Sequence, residues 1–365
     1  MMYLDNAATS FRKPPTVRRA MLEALDRCAN PGRGGYPAAM AAAETVFCCR
    51  ETAAKFFHCS PEQVVFTSNC THGLNIAINT LVKPGSRVLI SGFEHNAVTR
   101  PLHALDAEII TAGDRLFDWE NLLEQFELGL KKGVDAAIFT HVSNVFGYIL
   151  PVDEMAFLCK KYGVPFVVDG AQSAGVLPID MSQWKADFIA MPGHKGLLGP
   201  QGTGLLLCGR LPDPLLHGGT GSMSMDQQMP LFLPDRAEAG TMNVPGIAGL
   251  NAGMRYVNQI GLNTISLREQ RQVARCAREL EKMGFSVFTG PHQSGVLSFV
   301  PFVDCQEAAD VLMKAGIAVR SGLHCAPLAH KTAGTVDTGT VRISFGHDAS
   351  DHQTTFFLQK VQALR

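Results

Sequence analysis

Two short apolar runs, each followed by a residue that can do chemistry, constrain the fold of this chain most strongly. The first spans 164–168 and stops at Asp169, and the second spans 188–191 and is followed closely by Lys195. Apolar runs of this length, bounded by Gly and Pro, are typical of strands buried on both faces of a sheet. Because ligands of such α/β sheets bind beyond the carboxyl ends of the strands, the sequence predicts an acid and a lysine beside one ligand.

A carboxylate and a lysine at strand ends are the pair that pyridoxal phosphate requires. The cofactor forms a Schiff base with a lysine, and a carboxylate pairs with its pyridinium nitrogen. Asp169 and Lys195 are the candidates for those two roles. The alternative is that Asp169 only caps the following turn and that Lys195 is a solvated loop residue.

Length and composition exclude several other classes of protein. A chain of 365 residues has room for a large core and predicts two domains. With a formal net charge of −1 and 46% apolar residues, it shows no sign of a nucleic-acid-binding face or of disorder. The N-terminal segment does not have the pattern of a targeting peptide, and no apolar run is long enough for a bilayer. We therefore expect a cytoplasmic protein without nucleic-acid or membrane partners.

The ten cysteines are scattered, with no CxxC pair and no spacing typical of a zinc site. We interpret nine of them as small core residues in a reducing compartment, and we expect no metal site. Only Cys325 has an unusual setting, within the segment AVRSGLHCAP.

The order of the predicted elements indicates the fold class. Strand patterns alternate with helical periodicity over residues 64–207, which predicts an α/β fold with a mostly parallel sheet covered by helices on both faces. Residues 247–283 are predicted to be helical throughout. We place a large ligand-binding domain at 14–250 and a smaller α+β domain at 251–365, which residues 1–13 rejoin.

The segment SNCTHGLNIAINTL, residues 68–81, is a candidate phosphate site. Its cap residues follow directly on a predicted strand and precede an apolar helical face. Free backbone N–H groups and the helix dipole favour phosphate at such a helix start. An ordinary capped helix is the alternative, and the absence of a Walker pattern argues against a nucleotide phosphate.

Together these segments resemble the cysteine desulfurases, pyridoxal-phosphate enzymes of the class V aminotransferase type. The likeness runs nearly end to end: YLDNAATS is similar to the family's opening, and the family's cofactor lysine follows a histidine, as Lys195 follows His194. AVRSGLHCAP is similar to the segment that carries the catalytic cysteine in the short-loop subgroup, which includes selenocysteine lyases. The resemblance implies an aspartate-aminotransferase-like fold of PLP-dependent transferases, assembled as a homodimer.

The resemblance also implies a role for each matched residue. Lys195 and Cys325 are the catalytic pair, joined by His95, which stacks on the cofactor ring. The residues implied to bind the cofactor are Cys70, Thr71, His95, Asn144, Asp169, Gln172, His194, Lys195 and, from the neighbouring subunit, Thr220. The residues implied to bind the substrate are Arg342, Arg320, Asn144 and Ala8. Arg33 is a candidate for the mouth of the site, with a solvated loop arginine as the alternative.

The implied reaction removes sulfur from L-cysteine, leaving L-alanine and a persulfide on Cys325. The attacking group must be a thiolate, which Arg320 and His324 are close enough in sequence to stabilise with positive charge. Three alternatives stay open: a selenocysteine lyase, a class V aminotransferase or lyase in which Cys325 is incidental, and a thiol-rich redox or metal-binding protein. Segment 217–232 is shorter than the partner-docking hook of some relatives, which argues against a dedicated sulfur-acceptor protein. Whether such a partner docks is left open.

Overall fold

A computed structural model describes residues 1–32 and 34–364, so Arg33 lies outside the described residues. Within that part of the chain, no helix combines the length and the apolar character needed to cross a membrane. The helices are α1 (Pro15–Arg27), α2 (Pro37–Phe57), α3 (Cys70–Leu81), α4 (Asn96–Ala104), α5 (Trp119–Lys131), α6 (Val152–Tyr162), α7 (Met181–Trp184), α8 (Val244–Ile260), α9 (Leu262–Lys282), α10 (Cys305–Lys314), α11 (Pro327–Ala333) and α12 (Asp351–Val361). The strands are β1 (Met2–Tyr3), β2 (Val64–Thr67), β3 (Arg87–Ser91), β4 (Glu108–Ala112), β5 (Ala136–Thr140), β6 (Phe166–Asp169), β7 (Phe188–Pro192), β8 (Gly204–Cys208), β9 (Ser286–Phe288), β10 (Val296–Val300), β11 (Ile317–Ala318), β12 (Arg320–Gly322) and β13 (Thr340–Ser344).

A seven-stranded sheet in the order β2-β8-β7-β6-β5-β3-β4 forms the centre of the molecule. Its strands run parallel except β8, which is antiparallel to both of its neighbours. Every residue of β5, β6, β7 and β8 is buried, as expected for strands with helices on both faces. The structure thus confirms the predicted α/β fold with a mostly parallel sheet. Because Asp169 lies opposite Ala190 in the β6–β7 register, the carboxyl ends of these two strands lie side by side.

A smaller antiparallel sheet in the order β12-β13-β10-β9 packs with α9, α10 and α12 around a separate apolar cluster. The N-terminal segment lies here as well, since β1 pairs in parallel with β11 and Leu4 is fully buried in that cluster. In the β12–β13 register, Arg320 lies directly opposite Arg342. Directly opposed residues of two strands share one face of a sheet, so both guanidinium groups leave it on the same side.

The helical prediction for 247–283 is wrong at one point, because the chain forms two helices that meet at Gly261. This glycine has a φ of +87°, outside the right-handed helical region, and it ends α8 and begins α9. A positive φ is accessible to glycine at little cost. The apolar periodicity continues on both sides of the break, so the pattern alone did not reveal the turn.

Helix α11 is an element for which the sequence analysis assigned no structure. Ala326 and Ala329 are fully buried, and they belong to the apolar cluster that also contains Phe93 and Phe146 beside the large sheet. The segment that follows Cys325 is therefore packed into the core of the large sheet, although β12 and β13 on either side of it belong to the small one. This packing places Cys325 near the carboxyl ends of the parallel strands.

Candidate active site

One cavity lies at the carboxyl ends of the parallel strands, where the ligand was expected. Its lining residues are Asn69, Cys70, Thr71, His95, Ala97, Thr140, Val142, Asn144, Asp169, Ala171, Gln172, Pro192, His194 and Lys195. They include every predicted cofactor residue except Thr220, whose Oγ lies 3.1 Å from the Oγ of Ser222 in the loop before α8. The fold thus brings together residues that are up to 126 positions apart in sequence, from Asn69 to Lys195.

Asp169 is the buried acid of this cavity, with only 2% of its surface exposed. Its Oδ1 accepts hydrogen bonds from the N–H of Ala171, at 2.9 Å, and from the thiol of Cys70, at 3.3 Å. A buried carboxylate held by donors is fixed in orientation, and it can pair with a cationic group that enters the cavity.

The thiol of Cys70 points to Asp169. Burial and the neighbouring carboxylate raise the pKa of this thiol well above its usual value, so it stays protonated and serves as a donor. Any contact of Cys70 with a phosphate is therefore left to its backbone N–H.

The start of α3 is built to leave backbone donors free. The side chain of Asn69 caps the helix by accepting a hydrogen bond from the N–H of His72 at 2.9 Å, while the N–H groups of Cys70 and Thr71 have no partner among the described residues. Gly204 allows β8 to lie against this loop, because a Cβ there would come within 2.7 Å of the Oγ of Thr67. Unpaired N–H groups at the start of a helix favour an anion such as phosphate.

Lys195 lies just beyond β7 and is partly buried in the cavity wall. Burial lowers the pKa of its amine, the charge of Asp169 opposes that change, and the charges of Arg342 and Arg320 add to it. Its backbone carbonyl accepts a hydrogen bond from the Oγ of Ser10 at 3.0 Å, which fixes the loop. A lysine with a lowered pKa has more of the neutral amine that a nucleophile or a general base requires.

Both histidines of the cavity are neutral. Burial, helped by the charge of Lys195, lowers the pKa of His194 to about 4, and its Nδ1 lies 3.0 Å from the Oγ of Thr9. Burial also lowers the pKa of His95, whose Nδ1 accepts a hydrogen bond from the N–H of Ala97 at 3.0 Å. Since Nδ1 accepts, the ring proton of His95 is on Nε2. A flat, neutral imidazole in this position can stack on an aromatic ligand.

These groups fit pyridoxal phosphate. The fixed carboxylate of Asp169 suits a pyridinium nitrogen, the amine of Lys195 suits an aldehyde, and the start of α3 suits a phosphate. Among the described residues no cluster of three or more His, Cys, Asp or Glu side chains could hold a metal ion.

Cys325 is the only exposed residue among the ten cysteines. It lies in the turn between β12 and α11, and its Sγ is 3.7 Å from Nη2 of Arg320. Residues at and next to the cavity hold the main chain of this turn: the N–H of Asn96 donates to the carbonyl of Cys325, and Nδ2 of Asn144 donates to that of His324, both at 2.8 Å. An exposed thiol next to a guanidinium is a suitable setting for a reactive thiolate.

The expectation that His324 supplies positive charge to this thiol is wrong. His324 is only 3% exposed, and its Nε2 lies 3.0 Å from the Oγ of Thr340. Burial lowers the pKa of His324 to about 2, with smaller contributions from the charges of Arg342 and His330. A neutral ring cannot stabilise a thiolate by its charge, so Arg320 is the cation at Cys325.

Arg342 is 1% exposed and lies against Arg320 on the neighbouring strand. Its Nη2 donates to Oδ1 of Asp5 at 2.7 Å, and its Nη1 donates to the carbonyl of Asn144 at 2.9 Å. Opposed like charges on neighbouring strands are unfavourable, and Asp5 balances only one of the two guanidinium groups. The remaining positive charge makes this a place for an anionic part of a ligand.

Asp5 and Glu94 lie next to the site, bonded to Arg342 and Thr140, and the sequence did not single them out. Asp5 lies in YLDNAATS and Glu94 precedes His95, so both were inside segments already noted. Glu94 is fully buried; its Oε1 accepts from the Oγ of Ser91 at 2.5 Å and from the N–H of Thr140 at 2.9 Å, while its Oε2 has no partner among the described residues. Burial raises the pKa of Glu94 to about 8, so it is protonated at neutral pH.

Replacing Glu94 by Gln is expected to change how stability depends on pH. The pKa of Glu94 rises from 4.5 to about 8 on folding, so the folded wild type binds more protons than the unfolded chain between those values. The free energy of unfolding of the wild type therefore falls as pH rises through this window. Glu94→Gln has no titrating group at this position, so its free energy of unfolding does not fall for this reason. Relative to wild type, the variant should gain roughly 2–4 kcal/mol between pH 5 and pH 8.5.

Urea unfolding at several pH values measures this gain, with the exposed Glu124→Gln as the matched control. A difference between wild type and Glu94→Gln that does not vary with pH would show that Glu94 is ionised in the folded state.

Comparison with known proteins agrees with this geometry. A sequence model of the family described as aminotransferase class-V matches residues 2–355. A probable cysteine desulfurase of Pyrococcus abyssi is 32% identical over the whole of this chain and 94% of its own length. Another, from Methanothermobacter thermautotrophicus, is 33% identical over 94% of this chain and 89% of its own length. The apo structure of a cysteine desulfurase from Thermococcus onnurineus superposes with a TM-score of 0.92 at 33% identity, covering 100% of this chain and 94% of that one.

Proposed function

Because this chain belongs to the class-V aminotransferase family, we propose that it is a pyridoxal-phosphate-dependent cysteine desulfurase. It converts L-cysteine to L-alanine and takes the sulfur onto Cys325 as a persulfide. The observation that carries this proposal is the exposed thiol of Cys325, on a turn whose main chain Asn96 and Asn144 hold beside the cavity that contains Lys195.

When bound, pyridoxal phosphate supplies an electron sink for the negative charge that develops on the substrate's Cα. Asp169 would keep the ring nitrogen protonated, and the N–H groups at the start of α3 would hold the phosphate. His95 would stack on the ring, and Asn144 and Gln172 would bind its phenolate side.

Lys195 has two tasks at different times. Its amine would hold the cofactor's aldehyde in the resting enzyme, and as a free amine it would take the proton from the substrate's Cα. The lowered pKa of Lys195 favours the neutral amine that accepts this proton. General base catalysis of this kind contributes about 10²–10⁴-fold to a rate.

The sulfur transfer balances without an added oxidant or reductant. The thiolate of Cys325 attacks the substrate's Sγ, so an S–S bond forms while the bond between Cβ and Sγ breaks. The electron pair of the broken bond stays on Cβ, which takes up a proton and becomes the methyl group of alanine. The sulfur is thereby oxidised and Cβ is reduced, and the net change is L-cysteine and a thiol to L-alanine and a persulfide.

The two opposed arginines are the site for the substrate carboxylate. Arg342 bonds to Asp5 and Asn144 through one N–H of each terminal nitrogen, and each of those nitrogens carries a second N–H. A guanidinium can hold a carboxylate through two parallel hydrogen bonds. Arg320 lies on the same face and next to Cys325. One substrate molecule can therefore bind its carboxylate to the arginines and present its sulfur to the thiol.

Replacing Arg342 by Lys is expected to raise KM for L-cysteine about 10–100-fold, because an ammonium cannot reproduce the paired hydrogen bonds. The effect on kcat should be smaller, since Lys195 and Cys325 are unchanged. Steady-state kinetics measure both constants, and the exposed Arg115→Lys serves as the control. An unchanged KM in Arg342→Lys would mean that the substrate carboxylate binds elsewhere.

A second subunit completes the site in this proposal. Thr220 does not line the cavity of its own chain, and the open surface beside the start of α3 is lined by Ser68, His72 and Leu216. We place Thr220 of a second copy at the phosphate, in a homodimer. Light scattering tests the oligomeric state directly.

The function is tested by visible spectroscopy and product analysis of the purified protein. We expect an absorbance band of the lysine-bound cofactor and equal yields of alanine and released sulfur from L-cysteine under a thiol reductant. Keto-acid formation instead of alanine would identify an aminotransferase. A protein that shows no visible band after incubation with pyridoxal phosphate would overturn the proposal.

A further inference from the structure

The turn that carries Cys325 has an unfavourable backbone conformation. His324 has a φ of +49° and Cys325 a φ of +58°, so two successive residues other than glycine are in the left-handed region. That region brings Cβ close to the backbone, and residues of this kind remain there only when their surroundings hold them. The position of the thiol therefore depends on whatever holds this turn.

Three hydrogen bonds connect this turn and the helix after it to loops of the large sheet. Nδ2 of Asn144 donates to the carbonyl of His324, and the N–H of Asn96 donates to the carbonyl of Cys325, both at 2.8 Å. The Oγ of Thr332, in α11, donates to the carbonyl of Gly92 at 2.8 Å. Of these three, only the bond from Asn96 reaches the main chain of Cys325.

The donor of that bond is the N–H of the first residue of α4. The first N–H groups of a helix have no partner within the helix, so this one is free to bind the carbonyl of Cys325. The preceding residue, His95, lines the cavity. This hydrogen bond therefore fixes the distance between the main chain of the nucleophile and the wall of the cofactor site.

We propose that the N–H of Asn96 positions the thiol of Cys325 for sulfur transfer, which makes Asn96 a positioning residue of the reaction. The proposal rests on the proposed function. Without this hydrogen bond, the turn relaxes towards a more favourable φ, and Sγ leaves the place from which it attacks. The chemistry of Lys195 at Cα does not use this turn and continues.

Asn96→Pro removes this N–H with little other change. Proline fits the first position of a helix, where its missing N–H breaks no helical bond. The residue before a proline must be extended, and His95 already is, with φ −76° and ψ 156°. Asn96→Ala is the matched control, because it removes the same side chain and keeps the N–H.

Two activities of the holoenzyme separate positioning from general damage. The first is kcat for alanine formation from L-cysteine, which needs Cys325. The second is exchange of the Cα proton of L-alanine with D₂O, followed by NMR, which needs Lys195 and the cofactor but no thiol. Since misplacement of a reacting group by about 1 Å can cost about 100-fold, we expect Asn96→Pro to lower kcat about 10–100-fold. Its exchange rate and visible absorbance should stay within about twofold of those of Asn96→Ala.

Two results would overturn the proposal: an unchanged kcat in Asn96→Pro, or equal losses of kcat and exchange. Thr332→Val, which removes only the bond to Gly92, should affect kcat much less than Asn96→Pro does, and an equal loss would also contradict it. If Asn96→Pro does not fold, L-lactate at position 96 replaces the same N–H by an ester oxygen, again compared with Asn96→Ala. A wild type that exchanges the proton of alanine but releases no sulfur would instead refute the proposed function.

Discussion

Cys325→Ala is expected to abolish sulfur release from L-cysteine, with a loss on the order of 10³-fold or more, because no other exposed thiol can replace the nucleophile. Alanine formation from cysteine should fall with it, since cleavage of the bond between Cβ and Sγ requires a sulfur acceptor. The visible absorbance should persist, because Cys325 is not among the residues that line the cofactor cavity. Exchange of the Cα proton of L-alanine should persist for the same reason.

Product assays and NMR on the same preparation of Cys325→Ala measure these two outcomes. Cys48→Ala is the matched control, since Cys48 is a half-buried cysteine in α2, outside the cavity. Alanine formation at the wild-type rate in Cys325→Ala would show that this thiol is incidental, and the reaction would then be that of another class V enzyme.

Lys195→Ala is expected to lose both activities, sulfur release from L-cysteine and exchange of the Cα proton of L-alanine. The base that moves the Cα proton is worth about 10²–10⁴-fold, and the covalent hold on the cofactor is lost as well. Alanine exchange and sulfur release should therefore both drop by at least about 10²-fold. The absorbance of the lysine-bound cofactor should disappear even when the protein is saturated with pyridoxal phosphate.

Lys132→Ala controls for the loss of a lysine, because Lys132 is exposed at the end of α5, away from the cavity. Retention of the exchange activity in Lys195→Ala would assign the proton transfer to another group, with His95 as the next candidate. Together the two variants are expected to divide the reaction, with Cys325 needed for sulfur transfer only and Lys195 for both steps.

Much of the fold could be predicted from local patterns. The buried strands β6 and β7 are short apolar runs between turn residues, and helices such as α3 have both a cap and an apolar face. The break between α8 and α9 could not be predicted, since Gly261 lies within an unbroken apolar periodicity. Helix α11 was missed because it is short, and its burial depends on a core that is distant in sequence.

Most residues that line the cavity could also be predicted, because the carboxyl ends of parallel strands lie at the same edge of the sheet. The contacts between those residues were not. Nothing in the local sequence indicates that the thiol of Cys70 donates to Asp169, or that Asp5 pairs with Arg342, 337 residues away. His324 is neutral because it is buried. Its burial could not be inferred from the local sequence, since the next residue, Cys325, is exposed.

The amino-acid sequence by itself determined most strands and helices, the acid and the lysine at neighbouring strand ends, and the segment that carries Cys325. Each of these depends on residues close together in the chain, where periodicity and turn chemistry act directly. The tertiary structure alone decided which groups are charged and how the turn at Cys325 is held. Those properties arise from burial and from hydrogen bonds such as that between Asn96 and Cys325, which form only when segments 229 residues apart pack together.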